Sequence, residues 1–283
     1  MQFKFKIQPY QTEAARAVTD VFAGQPNSGA SLYLRDLGRT MGGDGTAALP
    51  GFETQVQASE GYANAPIALG SATLLENVHK VQRRNRIVES SSLAAGPAPV
   101  NLDVEMETGT GKTYVYTKTM LELNRLYGWT KFIIVVPSVA IREGVYKSLK
   151  NTEQHFFEQY GKAIRYFVYN SSRLGDIDRF SASSDINVMV INMQAFNSGR
   201  NQRIIDQRPD SFRGRRPIDV IAATRPILII DEPQSVEGRQ TRESLRKFNA
   251  LFTLRYSATH REAYNMVYRL DALDAYNRHL VKR

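Results

Sequence analysis

The 283-residue sequence contains no cysteine and a single tryptophan. Without thiols there is no disulfide framework, no thiolate metal site and no cysteine nucleophile, which suits a reducing cytoplasm. His79, His155, His260 and His279 stand at no metal-ligand spacing, so a zinc role is not expected. No apolar run approaches bilayer length. The opening Met1-Gln2-Phe3-Lys4-Phe5-Lys6 lacks the apolar core of a signal peptide. The expectation is a soluble, cytoplasmic chain with no membrane association and no internal repeat. Acidic residues are the scarcer charge: 28 Asp and Glu against 37 Lys and Arg leave a net charge of +9. That balance suits a polyanionic partner such as nucleic acid, and equally a soluble protein that is merely basic.

What is present is ordinary globular material, 42% hydrophobic and 23% charged, enough for one large domain or two small ones. In chain order, Phe3 to Ile7 alternates like a short strand, and Thr12 to Phe22 carries a helical stripe of Ala14, Ala15, Val18 and Phe22. Residues 24–70 are broken by glycines and prolines and read as loops around short elements, or an insertion. A helical pattern returns from Ser71 to Val88, with Lys80, Arg83, Arg84 and Arg86 near its end, and residues 90–99 read as a linker. From 100 to 260, apolar runs alternate with helical stretches. Candidate strands are Leu102–Met106, Phe132–Val136, Ile164–Tyr169, Asn187–Asn192, Ile227–Ile230 and Leu251–Ser257. Phe132-Ile133-Ile134-Val135-Val136 and Ile227-Leu228-Ile229-Ile230 are continuous, as in strands covered on both faces. The expected fold is α/β with a parallel sheet flanked by helices, and ligands at the carboxyl ends of its strands. Glu262 to Arg283 reads as one helix facing inward through Val267, Leu270, Leu273, Tyr276 and Leu280.

The stretch that organises the chain is Met106-Glu107-Thr108-Gly109-Thr110-Gly111-Lys112-Thr113, between a strand and a helix. That is the context of a phosphate-binding loop. Gly109 and Gly111 allow a tight turn that points N–H groups at phosphate oxygens. Lys112 would supply a charge to the phosphates, the Thr113 hydroxyl would ligate Mg²⁺, and the first helical turn adds its dipole. Met106 departs from the strict pattern, standing where a first glycine is usual. Asp231-Glu232-Pro233-Gln234, after an apolar strand, supplies an acidic pair: Asp231 for Mg²⁺, Glu232 as general base toward a water. Ser257-Ala258-Thr259, at another strand end, is weak alone and gains weight from its order after the other two motifs. Tyr10 and Gln11 at a helix start could serve adenine by packing and pairing, or simply cap and pack. The arginine-rich stretch Arg200 to Arg216 contacts phosphates or, as we favour, is a solvated loop. Tyrosines and phenylalanines fall at core spacings.

The order Tyr10-Gln11, Glu107 to Thr113, Val136-Pro137-Ser138, Asp231 to Gln234 and Ser257-Ala258-Thr259 resembles superfamily 2 helicases and translocases. More narrowly, the Asp-Glu-Pro-Gln form and the Met-Glu-Thr-Gly-Thr-Gly-Lys-Thr loop resemble the Res subunit of type III restriction–modification enzymes. The likeness spans the chain but matches only the amino-terminal, RecA-like half of the motor, a P-loop NTPase fold. It implies an adenine segment over 1–23, an insertion and linker over 24–99, a first RecA-like ATP-binding domain over 100–260, and a helix over 261–283 leading to a second RecA-like domain. It implies ATP and Mg²⁺ as cofactors. Tyr10, Gln11, Thr108 to Thr113 and Gln234 would bind nucleotide; Lys112, Asp231 and Glu232 would carry catalysis. Pro137, Ser138 and Arg142 would grip DNA, with Asn192-Met193-Gln194-Ala195 as a second such region. Ser257, Ala258 and Thr259 would couple the two sites. Implied partners are double-stranded DNA and a methyltransferase (modification) subunit. After residue 260 there is no Gln-x-x-Gly-Arg-x-x-Arg motif to supply the second domain's arginines, and no nuclease pattern. The expectation is a fragment that turns ATP over slowly. Rival readings are another superfamily 2 DNA or RNA helicase, and a nucleotide-binding scaffold without turnover.

Overall fold

The computed structural model describes residues 5–38, 58–193, 204–235, 238–277 and 280. Its centre is a parallel sheet of β3 (Asn101–Met106), β4 (Lys131–Val136), β5 (Ile164–Val168), β6 (Ile186–Asn192), β7 (Ile227–Asp231), β8 (Thr253–Ser257) and β9 (Asn265–Leu270). The spatial order is β5-β6-β4-β7-β8-β3-β9, with every neighbouring pair parallel. The two continuous apolar runs form β4 and β7, neighbours near the middle and buried at every position. Strands buried on both faces require that composition.

Side-chain alternation divides the core in two. One face carries Leu102, Val104, Phe132, Ile134, Ile229, Leu254 and Tyr256, packed against α1 (Pro9–Asp20), α3 (Lys112–Tyr127) and α4 (Val139–Tyr160). The other carries Ile133, Val135, Met189, Leu228 and Ile230 under α5 (Gly175–Ala182), α6 (Pro217–Ala223) and α7 (Arg239–Arg246). On that second face β3 and β8 present polar residues instead, Asn101, Asp103, Thr253 and Arg255, all buried. Asn101, Asp103 and Arg255 bond the backbone of coil at Ala94, Ala98, Glu262 and Tyr264.

Two expectations change. Residues 262–283 are not one helix, because Asn265–Leu270 pairs along the otherwise free edge of β3 and α8 (Ala272–Asn277) is short. Met266-Val267-Tyr268 is the branched and aromatic composition that favours a pleated surface. Leu273 and Tyr276, expected inside, are 68% and 42% exposed. The sheet therefore runs past residue 260. No strand forms at residues 5–7, where Phe5 instead packs against Tyr114 and His155; Phe3 and Lys4 lie outside the described residues. The short elements expected among the loops of the glycine-broken 24–70 region include an antiparallel pair, β1 (Ala30–Asp36) and β2 (Ala58–Asn64). Ser71–Arg84 forms α2, as its periodicity predicts.

Among the described residues no helix is long and apolar enough to cross a membrane.

Candidate active site

The carboxyl ends of β3, β7 and β8 bring the three motifs together. β8 lies between the other two strands, so Ser257 at its tip separates the loop after β3 from the acidic pair after β7. Met106, the departure from the glycine pattern, is fully buried as the last residue of β3. Its side chain belongs to the core, and the loop proper begins at Glu107. Gly109 and Gly111 hold φ of 84° and 87°, the left-handed region that only glycine enters freely. A Cβ on Gly111 would stand 2.7 Å from Gln11 Nε2, so there close packing adds to the conformational demand.

Tyr10 and Gln11 both brace this loop. The Tyr10 hydroxyl donates to the Thr110 carbonyl at 2.9 Å, and Gln11 Nε2 donates to the same oxygen at 3.1 Å. The Tyr10 ring is 7% exposed within the core, which leaves no face for an adenine to pack on. Thr110 is buried, and its hydroxyl bonds the Glu107 carbonyl, while Thr108 is exposed. Gly111 is the cap of α3 and provides no side-chain acceptor. The N–H groups of Gly109, Gly111, Lys112 and Thr113 take no backbone partner among the described residues. Such a row of donors over a helix start suits a phosphate.

Lys112 Nζ lies 3.0 Å from Glu232 Oε1 and 3.4 Å from the Met106 carbonyl. Glu232 holds φ 54°, a left-handed backbone on a residue that rarely adopts it. Its N–H still donates to the Tyr256 carbonyl, so the turn occurs while the strand pairing is intact. The other carboxylate oxygen accepts from the Ser257 hydroxyl at 3.1 Å. Asp231, buried at the end of β7, has its carboxyl pushed up to about 6, by burial first and then by the neighbouring Glu232 charge; Lys112 and Tyr116 pull the other way. The buried Tyr116 hydroxyl sits beside Thr113 and Asp231 without a well-formed protein hydrogen bond. A hydroxyl, a phenol without a well-formed bond and a carboxylate form a hard-oxygen set that fits a divalent cation and its waters.

Gln234 bonds the third motif. Its amide donates to the Ser257 hydroxyl and to the Thr259 carbonyl, both at 2.5 Å, which joins the Asp-Glu-Pro-Gln and Ser-Ala-Thr motifs directly. Ala258 lies within the turn these bonds close. Pro137 and Ser138 follow β4, and Ser138 caps α4 by accepting from the Ile141 N–H. Arg142 donates to Asn192 at the end of β6, 3.3 Å away. Gln194 and Ala195 lie outside the described residues. Of the arginine-rich stretch, Arg215 is not a loop residue in solvent: it is buried and grips Asp178 through two bonds of 2.8 Å. Arg208, Arg213 and Arg216 are exposed, and Arg200 and Arg203 lie outside the described residues.

Sequence reasoning missed a buried charged group behind the site. Arg255 Nε lies 3.2 Å from Asp103 Oδ1, with side-chain exposures of 3% and 0%. Asp103 also accepts from the Tyr264 N–H, and Arg255 donates to the Glu262 carbonyl and meets His260 Nδ1. Burial and the Arg255 charge push His260 down to about 4, so it is neutral at physiological pH. This group ties the strand entering the phosphate loop to the segment leaving Ser-Ala-Thr. A charged residue on alternate positions of two otherwise apolar strands was the available signal. Tyr116 had one too, standing on the helix face of Thr113, a turn away.

A model of the type III restriction enzyme res subunit matches residues 4–262. The Res subunit of the Escherichia coli EcoP15I enzyme is 36% identical over 239 residues, covering 78% of this chain and 24% of that protein. The Escherichia phage P1 EcoPI Res subunit is 37% identical over 243 residues, covering 77% and 24%. The chain thus spans about a quarter of the length of these curated relatives. The chain is also similar to a Sulfolobus solfataricus SWI2/SNF2 ATPase core in complex with dsDNA, at 13% identity over 70% of this chain and 33% of that one, with a TM-score of 0.37.

Proposed function

The chain belongs to the family of type III restriction enzyme Res subunits, and on that premise we propose that it is the first, nucleotide-binding RecA-like unit of a DNA-dependent ATPase motor. The observation that carries this reading is the chain of contacts Lys112–Glu232–Ser257–Gln234, which links all three motifs at the carboxyl ends of the strands. ATP phosphates take the N–H groups of Gly109, Gly111, Lys112 and Thr113 and the Lys112 ammonium, with Thr113 and Asp231 for Mg²⁺. Bound there, Mg²⁺ supplies charge neutralisation on the phosphate oxygens. Lys112 exchanges Glu232 for phosphate, which frees the Glu232 carboxylate to orient a water and accept its proton. Ser257, in contact with Glu232 before the exchange, and Gln234 carry the change to Thr259. Gln11 acts by holding the loop, and Tyr10 by bracing it.

Duplex DNA crosses the same end of the sheet at Pro137, Ser138 and Arg142, contacting phosphate and not base edges. A methyltransferase subunit and a second RecA-like domain with transition-state arginines complete the assembly, in the cytoplasm. The test is ATP turnover with and without duplex DNA in wild type, Lys112→Ala and Glu232→Gln. Expected are Mg²⁺-dependent ATP binding, slow turnover abolished in both variants, and DNA binding that falls steeply with salt. DNA binding without ATP binding, or turnover that survives Glu232→Gln, would overturn the reading.

A further inference from the structure

The sheet ends in a strand whose outer edge is open. β5 pairs with β6 on one side and, among the described residues, with nothing on the other. The Tyr169 N–H donates to the Val190 carbonyl. By the two-residue alternation of a parallel ladder, Phe167 also faces β6, while Ile164, Tyr166 and Val168 turn their N–H and C=O groups outward. Edges of this kind are normally blunted by charge, proline or a bulge. Here the run Tyr166-Phe167-Val168-Tyr169 is apolar and unbroken, and only Arg165 guards it.

That edge is the floor of a cavity of about 920 Å³. Residues 165–171 line it continuously, and α4 and α5 wall it from the two faces of the sheet. The walls are basic. Arg173 and Arg179 share the single carboxylate of Asp176 and remain 69% and 82% exposed, Arg165, paired with Asp185, adds a third cation at the strand itself, and Arg142, beside Glu143, a fourth on α4. On the floor, Tyr166 packs edge-on against Tyr146 and Phe167 against Phe180, so each face of the edge has an apolar seat beside its cations.

We propose that the β5 edge is a docking groove for an extended segment of a partner protein that adds a strand to the sheet, its acidic side chains meeting Arg165, Arg173 and Arg179. Main-chain bonds to Tyr166 and Val168 give the affinity; alternate side chains in the apolar seats and at the arginines give the selectivity. This proposal is independent of the nucleotide site, which lies across the ends of β3, β7 and β8.

The probe is a capped heptapeptide alternating valine with aspartate and glutamate, read by fluorescence anisotropy and by amide exchange on the 283-residue chain. Expected is saturable binding with slowed exchange at Tyr166 and Val168. Val168→Pro removes one outward N–H, leaves the bonds to β6 in place, and should weaken binding about tenfold, the equivalent of one main-chain hydrogen bond. Arg165→Glu with Arg179→Glu should weaken it at least as much without touching the backbone. ATP binding, measured on the same samples, should be unchanged and reports folding. No saturable binding, or equal binding by Val168→Pro, overturns the proposal. So does loss of duplex DNA binding in the double variant, which would assign the groove to nucleic acid. A wild-type dimer that Val168→Pro dissociates would assign it to a second copy, and overturns it equally.

Discussion

The two ends of the sheet treat their polar groups differently. At the amino ends of β4 and β7 the Asn64 side chain donates to the carbonyls of Lys131 and Arg225 and accepts from the N–H groups of Thr130 and Lys131. Lys131 is fully buried there, its ammonium donating to the carbonyls of Phe180 and Ser183, and burial pushes it down to about 7. Nearby, Arg35 and Arg215 converge on α5 at Asp178 and Ser181 to fasten the β1–β2 pair. At the carboxyl ends the opposite holds. Glu232 sits in a left-handed backbone, burial raises the Asp231 carboxyl to about 6, Tyr116 lacks a well-formed bond, and a row of loop N–H groups takes no backbone partner among the described residues. One end spends its polar groups on the fold; the other reserves them for a ligand.

Mutating a buried polar side chain should separate the ends by sign. The largest effect is expected at the amino end. Asn64→Ala strands several buried partners at once and should cost about 3–5 kcal/mol in chemical denaturation, with ATP affinity of the folded fraction unchanged. At the carboxyl end the sign reverses. Because the Asp231 carboxyl is raised in the folded state, its stabilising contribution is complete below about 3.8 and is lost as pH rises through about 6. Asp231→Asn should therefore make the ligand-free protein more stable by ~1–3 kcal/mol at pH 7.5, with the gain shrinking to nothing near pH 4, while Mg²⁺-dependent ATP binding is lost. Denaturation curves across that range check both limbs. A smaller destabilisation, about 1–2 kcal/mol, is expected for Gly111→Ala, where the positive φ and the Gln11 contact add. The smallest, about 1 kcal/mol, is expected for Gly109→Ala, whose Cβ would meet open space. Equal shifts at the two glycines would remove Gln11 from the account of the loop.

His260 adds a second pH dependence of opposite direction. Its depressed value means that its contribution is present above about 6.5 and is lost as pH falls toward 4. His260→Gln should flatten that acid limb without altering the alkaline one.

Much of this was readable in the residues. The six strands between 100 and 260 stand within two residues of where their apolar runs place them, because strands buried on both faces leave an uninterrupted signal. The three motifs also meet as their order implies. What stayed hidden depends on partners distant in the chain. Val267 and Leu270 fit a helix face as well as a strand, and only the open edge of β3 decides between them. Tyr10 beside a glutamine suggests a nucleobase, yet the core claims the ring and leaves its hydroxyl for the loop. Gln234 belongs to the acidic motif in sequence and to Ser257 and Thr259 in space. Arg215 looked like one more solvated charge until Asp178, on another helix, paired with it.

The central step is the exchange by Lys112 of Glu232 for a phosphate. Titration calorimetry of Mg²⁺-ATP into wild type and Lys112→Ala at pH 7.5 tests it most directly. Saturable binding to wild type, lost in Lys112→Ala with its thermal unfolding still cooperative, is the predicted result. Equal affinity in the two proteins, or no binding to wild type, would contradict it.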